Sequence, residues 1–90
     1  LRTTLNKIES ILVSRFRPSF LALNVVTDKQ TSAIHIVISA KSFNKKTVDQ
    51  RIAQVFNCLM TKDKELVEKN TIIVEAFTST EMADIFEYIR

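Results

Sequence analysis

Apolar side chains recur along the chain with two rhythms, and the changes between them mark out the elements. Leu5, Ile8, Ile11, Leu12 and Phe16 follow a 3.6-residue repeat with Lys7, Ser10 and Ser14 opposite, which predicts a first amphipathic helix. It should stop near Arg17, because the ring of Pro18 disfavours helical geometry in the residue before it. Phe20–Val26 and Ala33–Ser39 are short, rich in β-branched residues and separated by the polar stretch Thr27–Thr31, so they predict a β-hairpin. In its second strand Ile34, Ile36 and Ile38 share one side with the core, leaving His35 on the other.

Helical rhythm returns with Val48, Ile52, Val55, Phe56 and Leu59. Thr47 followed three residues later by Gln50 has the pattern of a capping box, so the helix should begin directly after Thr47. Thr61–Lys69 mixes both charge signs and reads as a solvated connection, with an extension of the helix by a turn as the alternative. Thr71–Phe77 predicts a third strand. Thr78 with Glu81 repeats the capping-box pattern before the stripe Met82, Ile85, Phe86 and Ile89. The order is α-β-β-α-β-α, which implies an α+β class: one two-layer domain over residues 1–90 with a three-stranded sheet.

Composition narrows the chemistry. The 90 residues include no glycine, so a Walker loop, a dinucleotide-binding turn and a GxxG nucleic-acid clamp are excluded as written, since each needs backbone amides that approach phosphate closely. One cysteine, Cys58, cannot form an intramolecular disulfide and suits a reducing compartment, cytoplasmic or mitochondrial. No secretory or transit pattern is visible; the chain opens on Leu1, so removal of an upstream segment with any targeting signal is expected. No apolar run approaches the roughly 20 residues of a membrane span, and a monomer without membrane contact is expected.

The net charge of +3 is unevenly spread: residues 1–46 carry eight Lys/Arg and two acids, residues 47–90 five and eight. The basic half is where an acidic partner is to be sought. Lys41, Lys45, Lys46 and Arg51 stand around a helix start, where side-chain charge adds to free backbone N–H groups; such a turn suits phosphate and a carboxylate-rich protein patch equally. No metal site is expected: a lone histidine makes a poor one, and His35 has no second ligand at a suitable spacing. Cys58, on the shoulder of the second helix with Arg51 as its expected cation, reads as a half-buried small apolar residue. Phe43, Phe56 and Phe86 are phased with apolar neighbours and read as core. Glu65 and Glu68 sit among lysines and read as solvated. No catalytic arrangement emerges, and a non-enzymatic role is expected.

Phe43, then Arg51 eight residues on, then Val55, Phe56 and Leu59 resemble the BolA family signature, in which F-x-G and an R-H-R triplet precede an apolar helix. "IESILVSRFRPSFLALNVV" resembles the family's first helix and strand, "SAIHIVIS" its S-H-F-x-V-x-x-V-S strand, and "TIIVEAFTSTEM" its last strand and helix start. The resemblance implies a fold similar to a class II KH domain. It further implies an adaptor that binds a monothiol glutaredoxin in iron–sulfur cluster assembly or iron regulation and shares a 2Fe-2S cluster with it. The departures are specific. Lys45 replaces the signature glycine, and the triplet reads Arg51-Ile52-Ala53. Asn70 stands where the resemblance places the cluster-ligating histidine, and Thr27–Thr31 offers neither Cys nor His, so no cofactor bound by the chain alone is expected. Lys45, Lys46 and Arg51 are then the expected docking residues. The KH-like order and the basic turn support an alternative, a nucleic-acid-binding module of the transcription-regulator kind.

Overall fold

A computed structural model describes residues 2–88. The elements are α1 (Arg2–Phe16), β1 (Phe20–Thr27), β2 (Ser32–Ser39), a 3-10 turn (Lys41–Phe43), α2 (Val48–Lys62), α3 (Lys64–Lys69), β3 (Ile72–Phe77) and α4 (Ser79–Tyr88). The α+β order expected from the pattern holds, with one helix more. Asp63 explains the addition: its backbone amide closes α2 on the Leu59 carbonyl, and its side chain accepts from the Leu66 amide to open α3. Of the stretch read as a solvated connection, Thr61 and Lys62 extend α2 as the alternative had it, and Lys64–Lys69 is a further short helix that buries Leu66. Its dense charge hid that one apolar anchor.

The sheet is mixed, in the order β1-β2-β3, with β1 and β2 antiparallel and β2 and β3 parallel. The core lies on the face of Ile34, Ile36 and Ile38, where Ile8, Leu12 and Phe16 of α1 and Val55 and Leu59 of α2 close over it. Phe43, wholly buried, seals one end of that core with its ring 5.4 Å from that of Phe16. Each large side chain removed from water there contributes about 1.5–3 kcal/mol.

Two expected core positions lie elsewhere. Val48 is 54% exposed at the start of α2, where it lines an open cleft with Ile52, Val74 and Ile85. Phe86 is 46% exposed, and its ring packs edge-on, 5.5 Å away, against Phe20. Phe20 alternates with Leu21 and so belongs to the opposite sheet face, which means that α4 reaches round the sheet instead of completing the core layer. Ile89 lies outside the described residues. Phe56 is half-buried against the core.

Local signals set the boundaries. The Arg17 amide donates to the Val13 carbonyl at 3.0 Å, and Arg17 itself has φ 46°, so α1 ends in a left-handed cap of the kind usually built on glycine. Pro18 drives this by denying Arg17 the right-handed helical region. Both capping boxes form: Gln50 N–H donates to Thr47 Oγ1 and Thr47 N–H to Gln50 Oε1, and Thr78 and Glu81 repeat the exchange. No helix among the described residues is long and apolar enough to cross a membrane.

Candidate functional site

The basic residues picked out by sequence divide on folding. Lys41, Lys45 and Lys46 are exposed on the turn between β2 and α2, and among the described residues none lies within ion-pair distance of a carboxylate. Phe43 to Lys46 forms a tight turn closed by the Lys46 amide on the Phe43 carbonyl at 3.2 Å. Asn44 has φ −59° and ψ 137°, and Lys45 has φ 64°, the geometry of a type II turn whose third position prefers glycine. Lys45 therefore occupies the left-handed region at the position where the BolA signature carries its glycine.

Arg51 does not join this surface, which corrects its expected place among the docking residues. It is only 7% exposed. Its Nε donates to the Lys46 carbonyl at 2.9 Å, and its Nη1 donates to Glu81 Oε1 at 2.6 Å and, more weakly at 3.3 Å, to the Ala76 carbonyl. One guanidinium fork so ties the basic turn, the end of β3 and the start of α4 together. The Thr78 amide holds the Glu81 carboxyl below the usual carboxylate range, partial desolvation opposes it, and Arg51 adds to the lowering.

A cation that sequence reasoning overlooked takes its place. The contact of Phe16 with Phe43 puts the end of α1 beside the 3-10 turn, and Ser19 Oγ and N–H both donate to the Ser39 carbonyl. Exposed Arg17 consequently belongs to the same end of the molecule as Lys41, Lys45 and Lys46. Arg17 and Lys45 are the non-glycine residues with positive φ among those described. In a chain without glycine, both left-handed positions are filled by cations at one end of the sheet, the kind of place where backbone strain accompanies function. The excess of basic residues in the first half was the signal that could have found Arg17.

The other sequence candidates are elsewhere. Asn70 and the hairpin loop lie at the opposite end of β2, about 23 Å from the basic turn for seven strand steps. The Asn70 side-chain amide donates to the Leu66 carbonyl at 2.7 Å and closes α3. His35 lies on the face away from the core, its Nε2 2.9 Å from Glu75 Oε2 across β2 and β3. Among the described residues no group of three His, Cys, Asp or Glu is arranged to hold a metal ion. These residues do not fit as ligands of a 2Fe-2S cluster: Asn70 is a helix cap, His35 faces a single carboxylate, and the loop has no soft donor. Burial pushes the Cys58 thiol up, with Arg15 and Lys62, rather than the expected Arg51, pulling it down; at neutral pH it is a thiol.

No family model matches the chain, and no curated protein matches it in sequence. Solved structures match it in shape. BolA1 from Arabidopsis thaliana superposes with a TM-score of 0.70 at 17% identity, over 87% of this chain and 94% of that one. A bol-like protein from Babesia bovis gives 0.72 at 18% identity, over 89% and 90%. The BolA domain of SufE1 from Arabidopsis thaliana gives 0.69 at 20% identity, over 84% and 92%. With its four helices packed on a three-stranded mixed sheet and its agreement with three such structures over most of their lengths, the chain has the BolA fold, in a divergent sequence.

Proposed function

We propose that the chain is a non-enzymatic, BolA-like adaptor that docks through its basic end on an acidic protein partner, with a monothiol glutaredoxin as the partner that the resemblance implies. The observation that carries this reading is the clustering of Arg17, Lys41, Lys45 and Lys46, exposed and without carboxylate partners among the described residues, at one end of the sheet. In this reading the chain contributes a docking surface and no metal ligand, and Asn70 serves the fold. A shared 2Fe-2S cluster would be a matter for the partner's own thiolates. The role therefore belongs to iron–sulfur assembly or iron regulation through contact alone.

The test is anaerobic mixing with a cluster-loaded monothiol glutaredoxin, followed by native mass, visible circular dichroism and amide chemical shifts. A 1:1 complex with an unchanged cluster spectrum and shifts centred on Arg17 and residues 41–46 is expected. Shifts centred on Asn70 and the hairpin loop would reassign the docking surface. Separate components would rule out the partner.

The same unpaired lysines favour a second reading, a nucleic-acid-binding module. The Thr47–Gln50 box already occupies two backbone donors of the α2 start, which weakens phosphate binding there. With Arg51 withdrawn, three lysine–phosphate contacts give a slope of log affinity against log salt of about −2 to −3. A flat salt response removes this reading.

A further inference from the structure

The two edges of the sheet are finished differently. On β3, the Ile34 amide donates to the Thr71 carbonyl, so by alternation the backbone groups of Ile72, Val74 and Ala76 point outward. Of these, only the end is covered: Ala76 O is taken by Arg51, which is in turn held by Glu81 of α4. On β1, the Asp28 amide donates to the Thr31 carbonyl at 2.8 Å, which makes the pairs Val26 with Ala33, Asn24 with His35 and Ala22 with Val37 the hydrogen-bonded ones. The amides and carbonyls of Leu21, Leu23 and Val25 therefore point away from β2, and among the described residues no strand pairs with them.

A groove of about 740 Å³ runs beside this edge, between β1 and α1. Leu21 and Leu23 form one wall, and Leu5 and the exposed Val13 the other. Charges are spaced along it: Arg2 at one end, Glu9 in the middle and Arg17 at the other end. From Arg2 to Arg17 is about 22 Å at helical rise, the length of about seven residues of extended chain.

We infer that the β1 edge takes an extended segment of another protein as a fourth strand, with apolar residues at alternate positions turned to the groove and carboxylates about seven residues apart at its ends. The outward amides of Leu21, Leu23 and Val25 supply the ladder, and the Leu21 and Leu23 side chains line the groove that the incoming alternate residues face. The charges select against a second copy of this chain: an antiparallel β1 pair would set Arg17 of one copy beside Arg2 of the other and bring the two Glu9 side chains together. An acidic-ended strand meets Arg2 and Arg17, and a cation at its centre meets Glu9.

This surface adjoins the proposed adaptor end at Arg17 and stands independently of it; shifts at Leu21–Val25 report one and shifts at residues 41–46 the other. The probe is a nine-residue synthetic peptide, blocked at both termini, alternating threonine and valine so that the glutamate at each end, the lysine at the centre and the valines between them share the odd positions and the face turned to the groove. It is titrated into the isotope-labelled full chain. Shifts at Leu21–Val25 and Val13 are expected, with slowed amide exchange at Leu21, Leu23 and Val25. Arg2→Glu, at a helix start that tolerates an acid, and Arg17→Glu should each weaken binding by about three- to tenfold. A charge-inverted peptide should bind at least about tenfold more weakly, and N-methylation of the ladder amides should abolish binding. Absence of localised shifts at millimolar peptide would overturn the inference. So would equal binding of the inverted or N-methylated peptides, or edge protection that grows with protein concentration without peptide, which would assign the edge to a second copy.

Discussion

Replacing Lys45 by glycine should stabilise the protein and weaken its docking at once. Lys45 sits at φ 64° in the third position of a type II turn, where a side chain bearing Cβ costs about 1–2 kcal/mol. Glycine removes that cost and brings back about 0.5–1 kcal/mol of extra freedom in the unfolded chain. The net gain is about 0.5–1 kcal/mol, or about 0.5–1 M in urea midpoint for a domain of this size. The exposed ammonium makes no ion pair among the described residues, so its removal costs the fold nothing that offsets the gain.

Lys45→Ala separates the two effects, because alanine loses the charge and keeps the Cβ. Urea unfolding followed by far-UV circular dichroism should place glycine above both lysine and alanine, with the last two close together. Docking to the acidic partner should fall by up to about fivefold in both variants, the range for one exposed charge contact. A glycine variant no more stable than the alanine variant would refute the strain; undiminished docking in both would refute the functional reason for keeping lysine there.

Arg51→Met keeps the aliphatic stem but loses the fork to Lys46 O, Ala76 O and Glu81, and should cost about 2–3 kcal/mol in urea unfolding while leaving docking by the folded protein unchanged; the opposite pattern would return Arg51 to the docking surface. Asn70→Ala should cost about 0.5–1.5 kcal/mol through the Leu66 carbonyl, with the loss of amide protection confined to α3 and the start of β3, and a stability unchanged within error would deny the cap. The lowered Glu81 carboxyl stabilises the fold above the ordinary carboxylate range, and this contribution is lost as pH falls through its folded value. Acid unfolding of Glu81→Gln should therefore show a shallower pH dependence below about pH 4.5 than the parent, and superimposable curves would contradict the assignment.

What could be read from sequence was local. Pro18 fixed the end of α1, the Thr47–Gln50 and Thr78–Glu81 boxes fixed two helix starts, and the alternation of Ile34, Ile36 and Ile38 fixed the buried face of β2. Periodicity gives a face but not what the face meets, so Val48 and Phe86 were assigned to a core they do not enter. The site failed for a related reason. Arg51 looked like part of a basic run until Glu81, 30 residues away, folded onto it, whereas Arg17 looked like a helix end until Phe16 met Phe43. Tertiary partners, absent from any local window, decide whether a cation is free. Asn70 shows the same limit: the sequence marks a lost histidine, and only the fold shows the carbonyl that the amide now serves.

An uncovered strand edge flanked by apolar side chains invites pairing with its own copies, and proteins guard such edges with charge or cover. On β3 the guard is Arg51, held by the same Glu81 that caps α4, so cap, ion pair and edge form one unit. On β1 the charges that stand guard are Arg2, Glu9 and Arg17, which line the groove without closing it. If like-charge opposition keeps copies apart there, neutralising it should let them join. The triple change Arg2→Gln, Glu9→Gln, Arg17→Gln leaves the apolar walls and the backbone ladder intact, and each replaced side chain is exposed. Sedimentation equilibrium should then find a monomer for the parent and a dimer for the variant at about 100 μM, with slowed exchange at Leu21, Leu23 and Val25. About 1 kcal/mol of repulsion removed at each of three contacts amounts to roughly a hundredfold in association. A variant that stays monomeric throughout that range would show that the charges do not guard β1, and its edge would need another explanation for remaining unpaired.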